Sequence, residues 1–303
     1  LRWPIEGDVV TEQEEQIIRA YNAHRESVLR STTEPFWVQV VLIAVAVIFM
    51  VLFLFVPLVS IFYEAFRSGV QFFFRAISDR ATMNALRMTL LATLIAVPAN
   101  LIFGLCAAWC IGKFRFWGKS VLISLIDIPF AISPVIAGLL FIFLFGTSSS
   151  LGLWLRDHGF RILYAAPSVV IVTIFVTFPF VVREVLPVIQ AQGTEEEQAA
   201  RVLGARGWHI FWRVTLPNIR WALLYGVILC NARAMGEFGA VMVVVGNSPK
   251  TNTLPLHINA LYQGYADPAA PFAVATLLAL MAIFTLILKC FAEWKISVAV
   301  NET

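Results

Sequence analysis

Apolar residues dominate the chain in stretches that neither alternate with polar ones nor keep to one helical face. Six of them, at approximately Phe36 to Tyr63, Ala85 to Ile111, Val121 to Phe145, Ala165 to Ile189, Trp221 to Val245 and Phe272 to Lys289, are long enough to cross a bilayer as helices. The helix is the form required, because a backbone in lipid must satisfy its own hydrogen bonds. Polar segments punctuate the six stretches and divide the chain into a tail at 1–35, a first span at 36–63, an interfacial segment at 64–83, a core at 84–290 carrying a polar loop at 191–217, and a tail at 291–303. The pattern therefore predicts an all-α, polytopic membrane protein with about six transmembrane helices.

Composition agrees. Hydrophobic residues make up 59% of the chain and charged ones only 14%, with a mean hydropathy of +0.81. An ordinary soluble domain has about 25% charged residues. Cationic residues near span ends set the expected orientation: Arg25 and Arg30, then Lys113, Arg115 and Lys119, then Arg201, Arg206, Arg213 and Arg220, then Lys295 place both termini in the cytoplasm. Arg67, Arg75, Arg80 and Arg87 run against that count. Phe62, Phe66 and Phe72 to Phe74 lie among them, as in an amphipathic helix resting on the interface. Residues Leu1 to Pro35 lack the apolar region of a secretory signal and are expected to stay attached, with Thr11 to Arg30 helical.

Cys106, Cys110, Cys230 and Cys290 all fall in apolar stretches without metal-ligand spacing and read as small packing residues. Pro129, Pro134 and Gly138 in the third stretch and Pro179 in the fourth are expected to interrupt or kink their helices. Such breaks line a path or a packed interface, or are simple kinks. Loops are expected at Gly146 to Leu163 and Gly246 to Pro271.

The polar loop from Gln192 to Trp221 has its own grammar. Thr194 can cap a helix while Glu197 closes a capping box, and Glu195 and Glu196 add negative charge where the helix dipole is positive. Ala199 and Ala200 follow, and Gly204 suits the left-handed conformation that ends a helix. A second amphipathic turn is expected from Trp208 to Val214, with Leu216 and Pro217 opening the fifth span. A short Ala-rich helix held outside the membrane can fill a groove on another protein, and torque on it would tilt the two spans it joins.

This loop resembles the EAA loop of ABC importer permeases, whose pattern is Glu-Ala-Ala, three residues, Gly, nine residues, an aliphatic, one residue, Leu-Pro. Ala199, Ala200, Gly204, Val214, Leu216 and Pro217 fall in register. Gln198 stands where the family has Glu, and Glu197 lies one place earlier, so the consensus salt bridge is not carried over unmodified. The stretches at Leu125 to Phe141, Val172 to Val188 and Leu216 to Gly246 are similar to the W-type permease subunit of sulfate/thiosulfate importers, over Met83 to Trp294. The piece Gly236 to Gly239 is shared with molybdate permeases.

The resemblance implies a type I ABC importer permease fold in a bacterial inner membrane. It also implies a non-catalytic subunit, without a cofactor of its own, working by alternating access. The expected partners are a T-type sister subunit, a dimer of ATPase subunits holding ATP and Mg, and an extracytoplasmic sulfate-binding protein, with no nucleic acid involved. Thr194, Glu197, Gln198, Ala199, Ala200, Gly204, Leu216 and Pro217 would couple to the ATPase.

Charges inside the spans are costly and single themselves out. Arg233 falls near the middle of the fifth stretch with Glu237 one helical turn later, and the two, with Pro134, are candidates for a path or gate. An internal ion pair that only orients packed helices is the alternative. Asp127 and Arg183 fall at matching depth and are expected to be neighbours in a structural pair, with Glu184 beside them.

Other chemistries find less support. Gly118, Lys119 and Ser120 resemble the end of a nucleotide-binding loop, but Lys113 stands where its first glycine belongs. Asp157 and His158 have no nucleophile in range of sequence. A secondary anion transporter coupled through Arg233 and Glu237 would have no use for a docking loop, and kinked spans carrying charge argue against a non-transporting scaffold.

Overall fold

The structure, a computed structural model, describes residues 35–246, 251–264 and 267–301, with side chains as far as Phe291. Thr11 to Arg30, Asn247 to Pro249 and the Lys295 side chain lie outside the described residues. The regular structure described is helical throughout.

Two compact units divide at Ser60 and Ile61. The first helix, Phe36–Arg67 (α1), passes through that boundary, and the most apolar 18 residues of α1 include none that is buried. A π turn at Val51–Phe55 comes just before Pro57. Proline lacks the N–H for the next helical bond and its ring crowds the carbonyl four residues back, and a wider turn relieves both.

In the second unit, Val70–Ser78 (α2) buries Phe73 with Ala65 and Ala273 and leaves Phe74 exposed. The span Arg80–Lys113 (α3) opens on Asp79, whose carboxylate accepts from Ala81 N at 3.0 Å. Lys119–Ala131 (α4) and Pro134–Phe145 (α5) follow at 109° to each other, then Ser150–Asp157 (α6) and the span Ala166–Gln192 (α7). Glu195–Val202 (α8) precedes Gly207–Met235 (α9), which meets Gly239–Val245 (α10) at 51°. Leu254–Gln263 (α11) and Ala269–Asn301 (α12) complete the order. Among the described residues four helices are long and apolar enough to cross a membrane, and each bent pair adds one span, giving up to six.

The spans α3 and α7 form the axis. Asn100 donates to Thr177, and a β-carbon on Gly104 or Gly112 would meet Val181 or Ile189 within 3 Å; each pair is 77 residues apart, so the helices run parallel and in close register. Their first halves pack with α5 and α10 around Val172, Val176, Val241 and Val244. Their second halves pack with α4 and α9 around Ile111, Ile126, Val185 and Ile219. Each broken span thus contributes one half to each of two cores.

Several expectations need correcting. The third stretch does break, at Ile132–Ser133 just before Pro134 in the first turn of α5, whereas Pro129 and Pro179 lie inside α4 and α7 and interrupt neither. Gly138 is a packing position, where a β-carbon would come 2.7 Å from Val243 Cβ. The fifth stretch, expected to run unbroken, breaks at Gly236 to Phe238. Pro217 stands in the first turn of the α-helical stretch Leu216–Met235 as expected, but Gly207–Ile210 and a π turn at Phe211–Thr215 run into that stretch, so α9 as a whole begins at Gly207. Helices α6 and α11 occupy the segments expected as loops, and helix α12 runs through Asn301, past the boundary placed at 290. Of the four cysteines only Cys230 is buried, whereas Cys106 and Cys290 are exposed.

Candidate functional site: a tethered helix and two intramembrane ion pairs

The helix α8 is short, and local signals hold it together. Glu195, Glu196 and Glu197 occupy its first turn, where the helix dipole is positive. At its end Gly204 takes φ +84°, Ala205 N donates to Ala200 O at 3.0 Å and Gly204 N to Arg201 O at 3.0 Å. That is the glycine-terminated helix end the sequence predicts.

Its start differs from the expected capping box. The Thr194 hydroxyl caps no backbone amide and instead accepts from Gln198 Nε2 at 2.9 Å. Glu197 faces the spans: Lys113 Nζ lies 3.0 Å from its carboxylate, and the Thr215 hydroxyl donates to Glu197 Oε1 at 2.6 Å. Lys113 also donates to Gly193 O at 2.6 Å, just past the end of α7, and Asn218 in α9 donates to Glu196. Three spans are thereby tied to one eight-residue helix. Sequence reasoning carries no signal for Lys113 in this role, because the contact joins positions far apart in the chain.

The C-terminal end of α8 is open. Val202 is 87% and Leu203 88% exposed. Beside them lies a cavity of about 510 Å³ lined by Ala200, Leu203, Gly204, His209 and Arg213, among others. Trp208, Phe211 and Trp212 cluster on the next turn, with Trp109 of α3 against Phe211 at 4.8 Å between centroids. Leu216 and Pro217 lie in α9 beyond the π turn.

The first intramembrane pair sits where the fifth span breaks. Arg233 Nη1 is 2.5 Å from Glu237 Oε2, and Ala240 N donates to Glu237 Oε1 at 3.1 Å. Helix α9 ends at Met235, so Glu237 joins the end of one half-span to the start of the next rather than lying on a continuous face. It is 2% exposed, while the Arg233 side chain is 33% exposed. Pro134 abuts this break: a β-carbon on Gly239 would come 3.2 Å from Pro134 Cβ, so the N-terminal ends of α5 and α10 meet there.

The second pair joins α4 to α7. Arg183 Nε donates to Asp127 Oδ1 at 3.0 Å, Arg183 Nη2 lies 2.9 Å from the same oxygen, and the guanidinium stands 4.2 Å from the Phe130 ring centre. Glu184 sits next to Gly226 of α9. A polar knot of Asn100, Thr177 and Cys230 joins α3, α7 and α9 and was not foreseen; Asn100 Nδ2 reaches Thr177 Oγ1 at 2.7 Å and Cys230 Sγ at 3.5 Å.

A helical membrane protein with two broken spans, charges paired inside them and a short polar helix clamped to three span ends is built to move a solute rather than to catalyse. Residues 100–295 match the family of binding-protein-dependent transport system inner membrane components. The chain belongs to that family, whose members are transmembrane permease components and not ATPases. Among its relatives, the sulfate transport system permease protein CysW of Synechocystis sp. is 51% identical over 86% of this chain and 95% of its own. The CysW protein of Escherichia coli K12 is 48% identical over 86% and 89%. In fold, the chain superposes with a TM-score of 0.70 and 18% identity on a subunit in the crystal structure of a bacterial alginate ABC transporter bound to its periplasmic protein, covering 84% of this chain and 92% of that one.

Proposed function

We propose that this chain is the W-type membrane subunit of an ATP-driven sulfate/thiosulfate importer and that α8 couples it to a separate ATPase. The observation that carries the coupling is the contrast between the two ends of α8. Glu196 and Glu197 in its first turn tie it to Lys113, Thr215 and Asn218, while Val202 and Leu203 at its last turn stand out, Leu203 lining the cavity. A partner that grips the free end moves three spans together. Sulfate as cargo rests on the CysW relatives.

In this reading both termini are cytoplasmic and α8 faces the cytoplasm. The chain pairs with a T-type sister, a dimer of ATPase subunits that hold ATP and Mg, and an extracytoplasmic sulfate-binding protein. Arg233 supplies a fixed charge and a fork of donors to the tetrahedral dianion, and Glu237 orients it. Pro134 and Gly239, at the meeting of the two half-spans, form the barrier that opens.

Co-purification of the complex followed by ATPase measurement tests this reading as a whole. Activity should rise several-fold with sulfate-loaded binding protein over the empty form, and no stimulation in an assembled complex would refute it. Arg233→Gln should abolish sulfate uptake while assembly persists; full uptake by that variant would remove Arg233 from the path.

A further inference from the structure

We propose that Arg183 is a second anion-contacting station on the route, held by Asp127, and that the Asp127–Arg183 pair is more than a structural tie. The proposal rests on the transport reading above and adds a residue to it.

An ion pair that only fastens α4 to α7 is best covered by its own chain, because charge at membrane depth is expensive. This pair is not covered: the Arg183 side chain is 54% exposed and the Asp127 side chain 40%. Asp127 lies eight residues into α4 and Arg183 nine residues before the end of α7, roughly 12 Å inside their span ends at 1.5 Å per residue. Hydrocarbon cannot be what they face, so either water or another protein does.

Three observations favour water and a passing anion. Both contacts to Asp127 use one edge of the guanidinium and a single carboxylate oxygen, leaving Nη1 without a hydrogen-bond partner among the described residues. A cavity of about 80 Å³ adjoins the pair, walled by Ile111, Ile123, Ile126 and Leu186. At about 30 Å³ of liquid volume for each water, it has room for two or three waters beside the pair. The arrangement also repeats the other pair, with an arginine more exposed than the carboxylate that holds it, 33% against 1% for Arg233 and Glu237. Two such stations let an anion exchange one set of donors for another without meeting bare lipid-like surface.

The test separates a station from a tie by reversing the pair. In the full complex in proteoliposomes, Arg183→Gln should lower sulfate uptake at least tenfold. Asp127→Arg combined with Arg183→Asp rebuilds a tie but puts a carboxylate where the anion passes, so assembly should be normal and uptake still at least tenfold down. Recovery of uptake to within twofold of the unaltered complex would overturn the proposal.

A second arm stands even where the reversed pair fails to assemble. Arg183→Cys should react with a membrane-impermeant methanethiosulfonate above the native-cysteine baseline, and sulfate should slow the reaction. Absence of labelling would mean that a sister subunit covers the position, and the proposal would fall. Labelling decides the matter for Arg183 even where the unaltered complex moves no sulfate, a result that would strike the transport reading instead.

Discussion

Breaking the link between Lys113 and Glu197 is the sharpest perturbation of the loop proposed to couple to the ATPase. The Lys113 side chain is 10% exposed and that of Glu197 is 22% exposed, with the ammonium 3.0 Å from the carboxylate. Exposed pairs are worth ~0.2–1 kcal/mol, while removing one partner of a buried pair costs ~3–5 kcal/mol. The intermediate burial here places Lys113→Met or Glu197→Gln at about 1–3 kcal/mol, or about a 5- to 150-fold rise in local opening of the loop. Trypsin cleavage after Arg201 or Arg206 reads that opening directly. The double variant should cost little more than either single one, because the two residues act through one contact. Sulfate uptake should fall while ATP hydrolysis by the complex persists, since the motor is intact and only its linkage is loosened. Additive effects of the two substitutions, or unchanged proteolysis, would refute the argument that the pair holds α8 to the spans.

Other substitutions probe other layers of the structure. Gly138→Ala places a β-carbon against Val243 and the Ala240 carbonyl and should cost ~1–3 kcal/mol of thermal stability in detergent. Gly204→Ala, in open space but at φ +84°, should cost only ~1–2 kcal/mol and act on α8 alone, as hydrogen exchange would show. Burial pushes the His257 imidazole below its ordinary pKa while Asp79 pulls it up, and Thr82 Oγ1 lies 3.2 Å from its ring. The unfolded state therefore binds more protons than the folded one. Stability should be flat above about pH 6.5 and fall as the pH drops below it, and His257→Gln should flatten that slope in a melting series. Maleimide should modify Cys106 and Cys290 of the isolated chain at least tenfold faster than Cys230, a difference that mass spectrometry of the labelled peptides resolves.

The helix in the polar loop is legible in the sequence because its signals are local. Three glutamates at a helix start and a glycine at its end act on their own backbone, and no distant residue is needed to see α8. The capping box fails for the opposite reason: Glu197 has a better offer across the fold, from Lys113 and Thr215. Apolar length gives the spans, but it cannot give their breaks, since Trp221 to Val245 stays apolar across one. Gly236 and Gly239 flanking a lone glutamate were the available clue. Proline misleads in the other direction. Pro179 stays inside a continuous helix packed on several sides, whereas Pro134 starts one because a serine and an extended residue precede it.

Arg183 and Arg233 are each paired with a carboxylate of this chain, which lowers the cost of holding them inside the spans. A lone charge near the middle of a span costs ~2.5–3.5 kcal/mol even on the mildest scale. Pairing removes much of that cost, and on the proposed route an arriving dianion would compete with Asp127 or Glu237 for donors already in use. Each contact with the anion is then weak enough to be left again, which suits passage and not accumulation. Sites of that kind cannot drive a solute uphill. In the proposed mechanism the work enters where the spans can be moved as bodies, and α3, α7 and α9 come together at one such place, around Lys113, Gly193, Glu197 and Thr215. Barrier and motor contact are therefore parts of one requirement: the weaker the hold on the anion, the more the direction of transport depends on the tether to α8.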